Sequence, residues 1–174
     1  MLRRSLVSLS LVFASFAVAQ ATLQSPCMGA PSSPTEHYAE VDVRTVIDEP
    51  ARDLVLLVDN DDQRLLTVVV GNREGEAISQ RLDGQRFFRP LTHDLLFDVV
   101  KGLHATVTHV QIDRLEDGVF YGSIWLQREG GEHFAVDARP SDAMALALAE
   151  GAPIYAHVDV LRHAAHRIPS DVER

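Results

Sequence analysis

The sequence predicts an α+β domain: a largely antiparallel sheet with three to four short helices packed on it, in a single domain. Three observations lead there. Apolar runs at 54–58 and 65–70 flank the turn residues Asn60, Asp61, Asp62 and Gln63, which makes a hairpin. Runs at 106–115, 119–127 and 133–136 are separated by Glu116-Asp117-Gly118 and Glu129-Gly130-Gly131, which makes an antiparallel meander. Stretches with helical spacing lie between these runs, and such helices cover one face of an antiparallel sheet. At 174 residues the chain suits one domain with a real core.

Taken in order, the domain opens at 37–44, where Tyr38, Glu40, Asp42 and Arg44 alternate with Ala39, Val41 and Val43 as a first strand with one solvated face. The hairpin follows. Its acids Asp59, Asp61 and Asp62 resemble a calcium loop, but the rest of that twelve-residue pattern is missing, so they read as turn residues. A short helix is expected over 74–82, with Ile78 and Leu82 on its inner face and Glu74 in its first turn. A second helix is expected to about residue 103, with Thr92 as N-cap, His93 and Asp94 in its first turn, and Leu95, Leu96, Val99, Val100 and Leu103 as a buried stripe. The meander comes next, then a third helix, a last short strand at 153–158 and a helical turn at 160–166. The domain is expected to span 37–162, with a C-terminal tail over 163–174.

The densest chemistry lies at 136–151, VDARPSDAMALALAEG. Asp137 stands where a strand leaves the sheet. Pro140 disfavours helix at Arg139, Ser141 is a suitable N-cap, and Asp142 would open the helix as an acid at its positive end. Ala143, Met144, Leu146, Ala147 and Leu148 give a buried helix that Gly151 closes and Pro153 ends. Two readings compete. The charged residues form a site at a strand-to-helix corner, or Ser141 and Asp142 only cap while Asp137 and Arg139 pair. The same choice applies to Glu74, which also complements a helix dipole, and to His93, the best general acid or base among the histidines because it lies at a helix start beside an acid.

Residues 1–21 read as a signal peptide. Arg3 and Arg4 form the basic region, 5–19 is apolar, and Ala17-Val18-Ala19 or Ala19-Gln20-Ala21 offers a cleavage site. A spanning helix needs about 20 apolar residues, so cleavage is expected, leaving no stable membrane anchor and a periplasmic or secreted protein. Residues 22–36, rich in Pro, Ser and Gly, read as a flexible leader. Cys27 is the sole cysteine, so the fold has no internal disulfide. Losing Arg3 and Arg4 moves the formal charge from −9 to −11. Such a chain is not drawn to nucleic acid by its overall field, so any nucleic-acid chemistry needs a local site. H-E-x-x-H, C-x-x-C, G-x-x-x-x-G-K and G-x-S-x-G motifs are absent, which argues against zinc proteases, thiol redox proteins, nucleotide triphosphatases and serine hydrolases.

Four strings in register, VVVGNREGEAI (68–78), RPLTHDLL (89–96), GVFYGSI (118–124) and DARPSDAMALALA (137–149), resemble the bifunctional nuclease domain family. The resemblance implies a compact α+β domain that forms homo-oligomers and acts on DNA, RNA or both. The positions matching the family's polar motif residues are Glu74, Arg89, Thr92, His93, Asp94, Asp137, Arg139, Ser141 and Asp142. The chain departs from the family pattern at Gly75, where alanine is usual, at Met144, where a branched apolar residue is usual, and in its export signal.

Together these readings give an expected site. Asp137, His93, Glu74 and Asp94 are the catalytic candidates, and Arg89, Arg139, Thr92 and Ser141 would bind substrate. Glu74, Asp94, Asp137 and Asp142 would hold Mg²⁺ or Mn²⁺ to activate water at the phosphorus. No organic cofactor is expected. The rival expectation is a non-enzymatic, self-associating binding or scaffold module of the cell envelope, in which the same residues are structural ion pairs.

Overall fold

A computed structural model describes residues 37–168, apart from 60, 62, 86 and 87. The signal peptide, the leader, Cys27 and residues 169–174 lie outside the described residues. The elements run β1 (Tyr38–Asp48), β2 (Asp53–Asp59), β3 (Arg64–Val70), α1 (Asn72–Leu82), α2 (Thr92–Gly102), β4 (Ala105–Glu116), β5 (Val119–Arg128), β6 (His133–Ala138), α3 (Pro140–Glu150), β7 (Ile154–His157), α4 (Val158–Ala164) and β8 (Ala165–Arg167). The domain is α+β, with one eight-stranded sheet ordered β6-β5-β4-β7-β1-β2-β3-β8.

Hairpin chemistry produces both halves of this sheet. The β2–β3 ladder runs from Asp53 opposite Val70 to Asp59 opposite Arg64. Its turn is a turn: the Asp61 amide donates to the buried Asp59 carboxylate at 3.1 Å. The β4–β5–β6 meander is antiparallel throughout. β1 joins the halves, pairing with β7 at 38–40 and with β2 further along. The strand that follows α3, β7, does not sit at an edge. It inserts between β4 and β1 and runs parallel to β4, a pairing that the crossover through α3 permits.

The core fills one side. Val55, Leu57, Leu66 and Val68 of one half meet Val110, Ile112 and Ile124 of the other, over Ile78 of α1 and Met144 and Leu146 of α3. α3 is buried nearly all round because its small and aliphatic residues suit a helix enclosed by sheet and α1, and Gly151 ends it in the left-handed conformation at φ 71°. On the opposite face, His109 stacks on Trp125 at 5.4 Å, and the Trp125 indole donates to Gln111 at 2.9 Å. All three are buried, and the hydrogen bond satisfies polar groups of neighbouring strands.

Four expectations are corrected. The α2 stripe is not buried: no α2 residue is, and Leu95, Leu96, Val99 and Leu103 are exposed, because α2 lies over the edge of the core, mainly against α3 and β4. The α2 cap is Leu91, with Thr92 the first helical residue. The α3 cap is Arg139, with Pro140 first, because proline fixes a helical φ for itself and an extended conformation for its predecessor. Residues 163–167 are not tail: they complete α4 and add β8, which pairs with β3 from Leu66 to Arg64.

Candidate functional site

A cleft of about 650 Å³ opens where three helices begin. It is lined by Arg73, Glu74, Glu76 and Ala77 of α1, by Pro90, Leu91, Thr92 and His93 at the head of α2, and by Arg139 and Asp142 at the head of α3. Each helix end is built locally. Gly71 is extended and gives its carbonyl to the Gly75 amide at 2.9 Å, which starts α1 without a side-chain cap. Leu91 is extended behind Pro90, and the third residue of α2, Asp94, accepts its amide at 2.8 Å. Arg139 is held extended by Pro140, and its carbonyl accepts from the Ala143 amide at 3.1 Å.

The acids Glu74, Asp94 and Asp142 occupy the same local position, the third residue of α1, α2 and α3. An acid there complements the positive end of the helix dipole, roughly half an elementary charge. Tertiary structure then separates them. Asp142 takes Nε of Arg139 at 2.8 Å and Nη2 at 3.1 Å, a fork-on-carboxylate pair, and its Oδ1 meets His93 Nε2 at 3.0 Å. Nη1 of Arg139 reaches Glu74 Oε1 at 3.1 Å. So a chain His93–Asp142–Arg139–Glu74 crosses the cleft and ties all three helix starts together. Asp94 faces elsewhere, pairing with the largely buried Arg81 of α1.

Burial alone would raise the Asp142 pKa, but the hydrogen bonds from Arg139 and His93, with their charge, outweigh it and hold the carboxyl below the ordinary carboxylate range. The same hydrogen bond and charge of Asp142 raise the Arg139 pKa. Asp142 is therefore a fixed anion that fixes the imidazole. With Nε2 committed to the carboxylate, Nδ1 is the His93 nitrogen with no hydrogen-bond partner among the described residues.

Of the residues expected at the site, the structure brings together Glu74, Thr92, His93, Arg139 and Asp142. It does not bring Asp94, Arg89, Ser141 or Asp137. Arg89 is exposed and does not line the cleft. Ser141 is buried in the second position of α3. Asp137 lies inside β6 opposite Ser123, and strand alternation turns it away from the face that Phe134, Ala138 and Ile124 give to the core. The four-carboxylate cage is thus not formed: among the described residues no group of three or more His, Cys, Asp or Glu is arranged to hold a metal. Glu74 and Asp142 already share one guanidinium, and the other two acids point elsewhere.

Two charged lining residues were not expected, Arg73 and Glu76. Arg73 is the residue before Glu74 within VVVGNREGEAI, and its adjacency to a motif acid at a helix start was the available signal. The unusual Gly75 also finds its reason beside the cleft. A Cβ there would lie 2.0 Å from Oδ2 of the buried Asp53, whose other oxygen accepts from Asn72 at 2.8 Å. Glycine lets α1 settle onto that carboxylate.

Residues 55–169 match the model of a family described as the bifunctional nuclease domain. Two relatives, both described as uncharacterized proteins and coming from two strains of Mycobacterium tuberculosis, are each 36% identical over 126 residues, 72% of this chain and 74% of their own length.

Proposed function

The chain belongs to the bifunctional nuclease domain family, and from that membership we propose that it hydrolyses phosphodiester bonds of DNA, RNA or both in the cleft where α1, α2 and α3 begin. The observation that carries this reading is the convergence of three helix N-termini on a cleft that also holds an oriented histidine. Helix N-termini present amide donors and partial positive charge, the complement of a phosphate. His93, held by Asp142 through Nε2, takes a proton from water on Nδ1 as the water oxygen bonds to phosphorus, and the proton is returned to the departing sugar oxygen as the P–O bond breaks. Arg139 stabilises charge growing on the phosphate oxygens, and Asp142 and Glu74 hold its guanidinium in place until substrate arrives.

The residues as arranged do not fit the expected Mg²⁺ or Mn²⁺ cage, and no step of this reading runs through a metal. The reading includes an exported enzyme, periplasmic or secreted, on the strength of residues 1–21, and an assembly of several copies. No described helix is long and apolar enough to cross a membrane.

One observation favours the rival role of a non-enzymatic envelope module: Arg139, Asp142 and Glu74 satisfy one another, as structural ion pairs do. Cleavage assays on single- and double-stranded DNA and RNA separate the two, run with Mg²⁺, with Mn²⁺ and with chelator, on the wild type and on folded His93→Ala and Arg139→Ala variants. The nuclease reading expects His93→Ala to lower kcat by about 10²-fold or more. Cleavage that is absent, or unchanged in both variants, hands the site to the structural role.

A further inference from the structure

We infer that Arg73 is the residue with which the cleft takes hold of a substrate phosphate. This rests on the nuclease reading and adds to it a residue outside the polar motif positions matched above. Two arginines line the cleft. Arg139 is spent within the protein, with three of its nitrogens on Asp142 and Glu74. Arg81, on the same helix as Arg73, is spent on Asp94. Arg73 is exposed at the second position of α1, and among the described residues it makes no ion pair or hydrogen bond. Its neighbour across the next turn, Glu76, instead accepts from Gln80 at 3.1 Å.

Charge balance makes this uncommitted cation matter. The lining holds two arginines against three acids, Glu74, Glu76 and Asp142. Three helix starts, each equivalent to about half a positive charge, bring the cleft only to near neutrality. Without Arg73 it would be net negative and would repel a phosphodiester. Arg139 can stabilise charge during reaction but cannot recruit substrate without leaving two carboxylates. A long, free guanidinium at the mouth supplies the bidentate phosphate contact that positions a strand without reading its bases.

The test uses the full mature chain and labelled single- and double-stranded oligonucleotides of several sequences, with binding followed by fluorescence anisotropy against salt concentration. Wild type is compared with Arg73→Ala, Arg73→Lys and Arg128→Ala, the last an exposed arginine on β5 outside the cleft. Arg73→Ala should weaken binding by about tenfold for every sequence. It should also make the slope of log K against log salt shallower by about 0.7 on single strands and 0.9 on duplex, the signature of one lost phosphate contact. Arg73→Lys should restore most of the slope, and Arg128→Ala should leave it unchanged. In cleavage, Arg73→Ala should raise KM with little change in kcat. An unchanged slope in Arg73→Ala, in a wild type that binds and cleaves through His93, overturns this inference alone. A wild type that neither binds nor cleaves overturns it together with the nuclease reading.

Discussion

Asp142 and Asp137 sit five residues apart in the richest motif of the chain, yet the fold gives them opposite fates. Asp142 holds His93 and Arg139 in the cleft, while Asp137 faces away from the core side of β6. Asp142→Asn should therefore lower kcat at least about tenfold, whereas Asp137→Asn should leave it within about threefold, as read in steady-state cleavage. Asp142 also predicts a pH effect on stability. Its native pKa is depressed, so its contribution is complete above the ordinary value of 3.8 and is lost as pH falls through the lower native value. Urea midpoints between about pH 2 and pH 6 should fall more steeply in wild type than in Asp142→Asn. At Gly75, the Cβ of alanine meets Asp53 at 2.0 Å, so Gly75→Ala should cost about 1–3 kcal/mol. The Asp53→Ser, Gly75→Ala pair should recover part of that loss, whereas additive losses in denaturant titrations would mean the two residues do not conflict.

At the scale of elements, α3 and α2 show how similar strings diverge. Both carry an apolar sequence behind an acid at the third helical position. α3 follows β6 through a one-residue corner at Arg139 and returns into β7, the parallel strand at the middle of the sheet, so it must cross the core. α2 is instead anchored by polar ties: Asp94 to Arg81, His93 to Asp142, and Lys101 near Glu150 at 3.8 Å. Leu146→Ala in α3 should cost about 2–5 kcal/mol. Leu95→Ala in α2, at 59% exposure, should change stability by less than about 0.5 kcal/mol in the monomer. Equal losses in thermal unfolding would mean that α2 is enclosed in solution.

For the molecule as a whole, Leu91, Leu95, Leu96, Val99 and Leu103 form an exposed apolar face beside the cleft. Faces of this kind mark association surfaces, and the expected assembly into homo-oligomers would cover this one. Light scattering behind gel filtration should then give a mass above that of one chain, and the Leu95→Lys, Val99→Lys pair should shift it toward the monomer. A monomeric wild type at tens of micromolar would remove this expectation.

Much of this molecule was written locally. Turn residues set the hairpin and the meander, Pro140 fixed the conformation of Arg139, and acids at helix starts marked the corners that line the cleft, because these preferences act within a few residues. Family membership was legible for the same reason, in four short strings. Tertiary structure alone decided which corners meet. Alternation along β6 removed Asp137, the packing of α2 on an edge exposed a stripe whose periodicity read as buried, and Arg81 drew Asp94 aside from its two counterparts. It also brought Arg73 to the cleft and set Gly75 against Asp53. Those outcomes depend on contacts between residues far apart in the chain, which periodicity and spacing do not encode.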